Sequence, residues 1–431
     1  DVVALAIRDF LFNTGINLKQ ENLSFENKIK KNILMDYVSY PATTAHYLER
    51  ALRQNHNVIT CGAQINNHVK KLWNLEALNW EVKPQDLKRD QETPLKEVLA
   101  ELPKGWNPDL YLWVETGLGG IPFDLKDYDF LKVCYLIDTH INYEKHLEIA
   151  KSFNFVFLAQ KAYVEKMNQA GIKNVFWLPV ACDPDIHGKM ETEKEWDVGF
   201  VGTIPNDKNR RKQLLEKIGL HFELNCDRKF MEDMALHYSK SKIVFNNAIN
   251  NDLNMRIFEA LCSGSMLLTD HAEGSGLEEM FSNKKHLIFY KDKSMEETIS
   301  YYLENEKERQ VIAEQGRQEV LKKHTYLQRV NEFMNILNRE VPSIKDLTRP
   351  AEKTDSYYRN IRHDLLPLIS DEANCILEVG CAEGMTGKEL KKRPGVFVAG
   401  IELNKSIAEL ARNVLDDVIV GDIEKIEIPY N

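Results

Sequence analysis

The chain has 431 residues, and at roughly 100 to 200 residues per domain it holds two or three domains rather than one small binding module. Its 43% hydrophobic and 28% charged content is ordinary for a globular protein, and 21 Gly with 14 Pro exclude a collagenous or low-complexity chain. With 56 basic against 66 acidic side chains the formal net charge is −10, which argues against broad binding to nucleic acid or anionic membranes, because neutralising phosphates needs a basic surplus.

Apolar runs such as Ile243 to Phe245 and Met266 to Leu268 fall far short of the ~20 residues that span a bilayer, so no transmembrane helix is expected. The first thirty residues lack the basic-then-apolar order of a secretory signal, which makes the expected compartment the cytoplasm. Seven scattered cysteines with no Cys-x-x-Cys pair write neither a disulfide framework nor a zinc ribbon.

In chain order, Val2 to Phe12 reads as a short helix followed by a polar connector, the tail of something upstream, so 1–28 is taken as an extension. From 29 to 185 strands and helices alternate: strand Asn32 to Val38, helix Thr43 to Gln54 and strand Asn57 to Cys61 come first. A polar stretch from Lys83 to Pro108 follows. Then come strands Asp109 to Val114 and Val133 to Ile137, helix Tyr143 to Ser152, strand Phe155 to Leu158, helix Lys161 to Ala170 and strand Val175 to Leu178. Strand-helix-strand spacing of this kind implies a parallel, doubly wound α/β sheet.

Residues 186 to 340 repeat the pattern: strand Asp197 to Val201, helices Asn209 to Ile218 and Met231 to Ser239, strand Lys242 to Asn246, helix Met255 to Cys262, strands Met266 to Thr269 and Leu287 to Tyr290, then helices from Ser294 to Arg339. Between the two series lies Pro179-Val-Ala-Cys-Asp-Pro184, whose prolines suit a hinge. A ligand is expected in the cleft at the carboxyl ends of both sheets. After a linker, 341–354, a third series (355–431) has helix Asp355 to Ile369, strand Cys375 to Val379, helix Thr386 to Lys392, strand Phe397 to Ile401, helix Lys405 to Val414 and strand Asp417 to Val420.

The most informative stretch is Ser241-Lys-Ile-Val-Phe-Asn-Asn247 followed by Asn254-Met-Arg-Ile-Phe-Glu-Ala-Leu-Cys-Ser-Gly264, with Gly199-Phe-Val-Gly-Thr203 upstream. Arg256 and Glu259 stand three apart near a helix start and so share a face. Taken by themselves they are either an intrahelical ion pair or a matched cation and carboxylate for a ligand. A phosphorylated ligand carrying a diol asks for such a set: a cation or helix N-terminus for the phosphate, a carboxylate for the diol, and a tight loop for close approach. Gly202 and Thr203 end a strand, Arg210 and Arg211 open the next helix, and Asn247 ends another strand facing the same cleft.

These blocks resemble the spore maturation protein CgeB-like glycosyltransferases, over residues 30 to 338. The resemblance implies the two-domain GT-B fold and a metal-independent, hexosyltransferase-like enzyme that takes a UDP-, GDP- or TDP-sugar and a hydroxyl acceptor on a glycan, protein or surface polymer. It also implies that Arg256 pairs with the diphosphate and Glu259 accepts the ribose hydroxyls. Retaining members of the wider superfamily carry Glu, seven residues, then Glu; here the first position is Asn251, with Asp252 adjoining, so retention and inversion both stay open.

On the acceptor side, Glu115-Thr-Gly-Leu-Gly-Gly-Ile-Pro122 is either a phosphate cradle at Gly117, Gly119 and Gly120 or a flexible turn. Asp138 and His140, after the next strand, are candidate general bases, with a helix-capping His as the alternative for His140. Asp127-Tyr-Asp129 and Asp183-Pro-Asp185 have the spacing of a metal-diphosphate site, but the tandem α/β pattern and the hinge position of the second disfavour that use, and no metal is expected. There Arg256 and helix dipoles supply the counter-charge.

Finally, Ile376-Leu-Glu-Val-Gly380-Cys-Ala-Glu-Gly384-Met-Thr-Gly387 resembles motif I of class I S-adenosylmethionine methyltransferases, with Ala382 where that family often has Gly. The resemblance implies an S-adenosylmethionine site at Glu378, Gly380, Gly384, Glu402 and Asp422. Only about half of such a domain is present, so the chain is expected to be part of a longer polypeptide with further domains upstream and downstream. A scaffold with a degenerate transferase fold supporting that methyltransferase is the rival reading.

Overall fold

A computed structural model describes residues 30–40, 42–72, 75, 83–204, 209–340, 361–362, 366, 369–421, 423 and 426. The expected N-terminal helix, the linker, nearly all of the helix from Asp355, and Asp422 lie outside the described residues. The chain divides into two compact units, 1–337 and 338–431.

The first unit holds two parallel sheets. Strands β1 (Asn32–Asp36), β2 (Asn57–Gly62), β3 (Leu87–Lys88), β4 (Leu110–Val114), β5 (Leu131–Leu136), β6 (Phe155–Leu158) and β7 (Val175–Trp177) form a seven-stranded sheet in the order β3-β2-β1-β4-β5-β6-β7. β4 is Leu-Tyr-Leu-Trp-Val with every residue buried, the continuous apolar run that a parallel strand needs when helices cover both faces. The order reverses between β1 and β4, and in such sheets ligands collect outside the carboxyl ends of the strands at that switch.

β8 (Trp196–Val201), β9 (Leu224–Asp227), β10 (Ser241–Asn246), β11 (Met266–Thr269) and β12 (Ile288–Phe289) form the second sheet, ordered β12-β11-β10-β8-β9, with its own switch between β8 and β10. The chain crosses between the sheets twice, and the crossings lie side by side. Cys182 pairs with Thr325 in a parallel bridge, the Cys182 amide donating to the His324 carbonyl at 3.3 Å and the Tyr326 amide to the Cys182 carbonyl at 2.9 Å. After the second crossing the helix Tyr326–Glu340 packs back on the first sheet: Phe333 meets Phe157 with ring centroids 4.8 Å apart, and Arg329 Nε donates to the Pro179 carbonyl at 2.8 Å.

The polar stretch 83–108, expected to be a connector, contains β3 and a helix, Leu95–Ala100. That helix has no cap of its own; Asp124 supplies one from downstream, accepting from the Leu95 and Lys96 amides at 2.7 and 3.0 Å, while Leu95 and Val98 enter the core.

In the second unit β13 (Cys375–Val379), β14 (Phe397–Glu402) and β15 (Asp417–Val420) form a parallel sheet in that order. β13 is an edge with Val379 and Leu377 exposed, while the core gathers on Val398, Ala408, Ala411 and Leu415.

Candidate active site between the two sheets

Loops at the strand ends of both sheets enclose a cavity of about 390 Å³. From the first sheet come Tyr40, Thr43 and Thr44 after β1, Glu115 and Thr116 after β4, Asp138 after β5 and Gln160 after β6. From the second come Gly202 and Thr203 after β8, Arg228 and Lys229 after β9, and Asp252, Asn254, Arg256 and Glu259 after β10.

The helix Met255–Cys262 carries the pair singled out in the sequence, and the intrahelical ion pair does not form. Arg256 donates instead from Nε to the Val201 carbonyl and from Nη1 to Asn246 Oδ1, both at 2.7 Å, and lies over the Phe200 ring at 4.8 Å. Nη2 rests against Gly202, where φ is +154° and an added Cβ would come within 2.4 Å of it. Anchored on one edge, the guanidinium has its remaining face toward the cavity.

Glu259 lines the same cavity and is 7% exposed. Burial pushes its carboxyl up to about 7 against the pull of Arg256. The first turn of this helix has no side-chain cap from Asn254, whose Oδ1 is buried without a hydrogen bond among the described residues. Uncapped amides at a helix start suit an anion.

On the facing wall, Glu115 is buried and occupied: it accepts from the Gly117 amide at 2.6 Å and from the Ile137 and Asp138 amides at 3.2 Å. Asp138 begins the helix Thr139–Ala150 without capping it, and among the described residues its carboxylate takes no hydrogen bond. Burial first, then the charge of Glu115, push the Asp138 carboxyl up to about 6, with His140 opposing. His140 itself does not line the cavity. It sits in the first turn of the helix with Nδ1 3.9 Å from Asp252 Oδ1.

Three expected donor residues also fail to reach the cavity. Arg210, the first residue of its helix, turns to Asp270 and Asp292, with contacts of 2.6 to 3.0 Å. Arg211 clasps the carbonyls of Thr203 and Asn247 at 3.0 Å each, and Asn247 donates to Asp270 at 2.9 Å. Together they brace the Gly202 and Asn247 loops from behind. Gly119 and Gly120 line a separate cavity of about 180 Å³ beside Arg89 and Asp36, so the glycine loop lies off the main cleft. Asp183 of the hinge caps the short helix after it and pairs with Arg50 at 2.7 Å. Among the described residues no cluster of three His, Cys, Asp or Glu side chains is placed to hold a metal.

Sequence reasoning missed Arg228 and Lys229, which reach the cavity on the loop after β9, and Gln160, whose Nε2 donates to Asp252 Oδ1 across the cleft at 3.1 Å. The signal for the first two was weak, since β9 is a half-buried Leu-Asn-Cys-Asp edge. Asp252 reaches the cleft through Asn250 and Asn251, both left-handed at φ 53° and 55°, a conformation Asn tolerates.

In the second unit Gly380, Ala382 and Gly384 all have positive φ (74°, 51°, 79°) and form a tight turn after β13. Glu402, ending β14, accepts from the Ala382 amide at 3.0 Å and the Asn404 amide at 2.9 Å, and Glu378 accepts from the Gly387 amide at 3.1 Å. A Cβ on Gly380 would meet open space.

Residues 210–335 match the family model described as glycosyl transferase-like. Among solved structures the chain is similar to the Anabaena protein Alr3699/HepE in complex with UDP, 12% identical with a TM-score of 0.50, over 72% of this chain and 100% of that one. The same protein with UDP and glucose matches at 12% identity and 0.50, over 72% and 99%. A 72-residue segment is 33% identical to the polyamine aminopropyltransferase of Mycobacterium tuberculosis, spanning 16% of this chain and only 14% of that protein. Two parallel sheets about one cleft, with that family match on the second, define a GT-B fold. The family match, to glycosyl transferase-like proteins, falls on the second of these sheets and its helices.

Proposed function

We propose that the protein transfers a sugar from a nucleoside diphosphate to a hydroxyl on a glycan, protein or surface polymer. The observation that carries the reading is the placement of Arg256 and Glu259 on one cavity wall, unpaired with each other, beside a strand-end glycine that leaves room for the guanidinium. The diphosphate lies against Arg256, the open turn at Asn254, and Arg228 and Lys229; the ribose reaches Glu259. UDP is the first nucleotide to test, since the similar HepE was solved with it. Asp138, facing these groups without a hydrogen bond among the described residues and half-titrated near pH 6, serves as the base that takes the acceptor's proton. CgeB-like specificity and a cytoplasmic setting fit this reading. Among the described residues no helix is long and apolar enough to cross a membrane.

A melting-temperature panel with UDP, GDP, TDP and S-adenosylhomocysteine tests it, because a ligand that binds only the folded state raises stability by RT ln(1 + [L]/Kd). One nucleoside diphosphate should raise the melting temperature, and Arg256→Ala should abolish that rise. No response to any of them from well-folded protein would favour the scaffold reading instead.

For the second unit, the turn at Gly380 to Gly384 and the acid ending β14 favour a nucleoside-binding fold of methyltransferase type. S-adenosylmethionine is the methyl donor such a domain takes. Gly380 and Gly384 supply the turn, and Glu402 would take the ribose diol. Binding of S-adenosylhomocysteine in the same panel, lost in Glu402→Ala, tests it.

A further inference from the structure

We propose that His187 is a positioning residue that holds the Glu259 carboxylate for the ribose hydroxyls, an inference that rests on the donor site proposed above. His187 is fully buried at the end of the short helix Pro184–His187, directly after the first crossing between the sheets. Its Nδ1 accepts from the Asp183 amide at 3.0 Å, so in the neutral ring the proton sits on Nε2. That N–H faces Glu259 Oε1 at 3.7 Å and has no other partner among the described residues.

A gap of 3.7 Å is too long for a hydrogen bond, and such contacts in ligand-free sites tighten when the ligand arrives. The ring is held to await that. The Tyr47 ring packs edge-on at 4.8 Å, and Asp183 is pinned by Arg50 from the helix Thr44–Asn55. The titratable and charged groups around the imidazole are therefore Tyr47 and Arg50 from that helix, Asp183 from the crossing, and Glu259 from the helix Met255–Cys262. Burial drives the ring down to about 4, which keeps it a neutral donor across the working range. Glu259 has the opposite problem: burial favours its neutral acid, while a ribose diol needs an ionised acceptor of two hydroxyls. A single N–H brought to bonding distance favours the carboxylate and fixes which oxygen is left for the sugar.

The test compares UDP with 2′,3′-dideoxyuridine diphosphate by calorimetry on the full chain. A positioning role predicts that His187→Leu and His187→Asn weaken UDP by about tenfold, the worth of one charge-assisted hydrogen bond, yet leave the dideoxy ligand unchanged. His187→Gln, whose amide reaches the place of Nε2, should restore most of the UDP affinity, whereas the shorter Asn stops near Nδ1. Equal losses on both ligands, or no loss on UDP in a variant that melts normally, would overturn the inference. Glu259→Gln separates the two levels: if it does not discriminate between the ligands, the ribose assignment falls and this inference with it. If it does while His187→Leu does not, only the role of His187 falls.

Discussion

The guanidinium of Arg256 lies on the bare Cα of Gly202, so close that a methyl group there would stand 2.4 Å from Nη2. Strand β8 is thus followed by a residue whose lack of a side chain sets where the cation sits. Gly202→Ala should displace Arg256 and strain a backbone already at φ +154°. The expected result is a tenfold or greater loss of nucleotide affinity with a melting temperature lowered by only a few degrees, roughly 1–2 kcal/mol. Unchanged affinity in calorimetry would remove Arg256 from the donor site.

Arg256 is anchored through two nitrogens, to the Val201 carbonyl and Asn246 Oδ1. A lysine keeps the charge but has no fork to span both anchors. Arg256→Lys should therefore recover only a minor part of the affinity lost in Arg256→Ala. Equal affinity of Lys and wild type would reduce the residue to a point charge.

Glu259 links the site to stability. Its carboxyl is held near 7 in the fold, above the ordinary carboxylate value of about 4.3, so the unfolded chain ionises first as pH rises. The neutral acid's contribution is complete below about pH 4 and fades as pH climbs through 7. Denaturation of the ligand-free protein should show a decline of up to about 3 kcal/mol across that window, which Glu259→Gln flattens. Identical slopes for the two proteins would contradict the burial of this acid.

Asp138 gives the opposite profile in turnover. As the acceptor's base it must be ionised, so kcat should rise through pH 6 and level off above it. Asp138→Asn should cut kcat by roughly 100-fold or more without altering nucleotide affinity. If His140→Asn, rather than Asp138→Asn, removes the limb, the base has been misassigned.

Much of this was legible in the sequence where periodicity and burial agree. β4 and β6 are apolar runs, and the three-residue spacing of Arg256 and Glu259 at the start of the helix Met255–Cys262 put both side chains on one face without a structure. What escaped depends on partners distant in sequence. The helix Leu95–Ala100 starts on Asp124, and Arg210 is drawn away by Asp270 and Asp292. Arg228 and Lys229 hang from β9, an edge strand too polar and short to show a period. His140 and Asp138 looked equivalent two residues apart, yet only Asp138, just ahead of the helix start, lines the cavity, while His140 within the first turn sits 3.9 Å from Asp252.

The bridge between Cys182 and Thr325 makes the two crossings a single ribbon rather than two independent tethers. Any swing of one sheet against the other must twist that ribbon as a unit. His187 lies five residues beyond one edge of it, and Tyr326, stacked on Tyr47 at 5.5 Å, lies at the other. A rotation of one sheet against the other would therefore reach both residues through the same ribbon, and would act on the proposed donor site and on the angle between the sheets together.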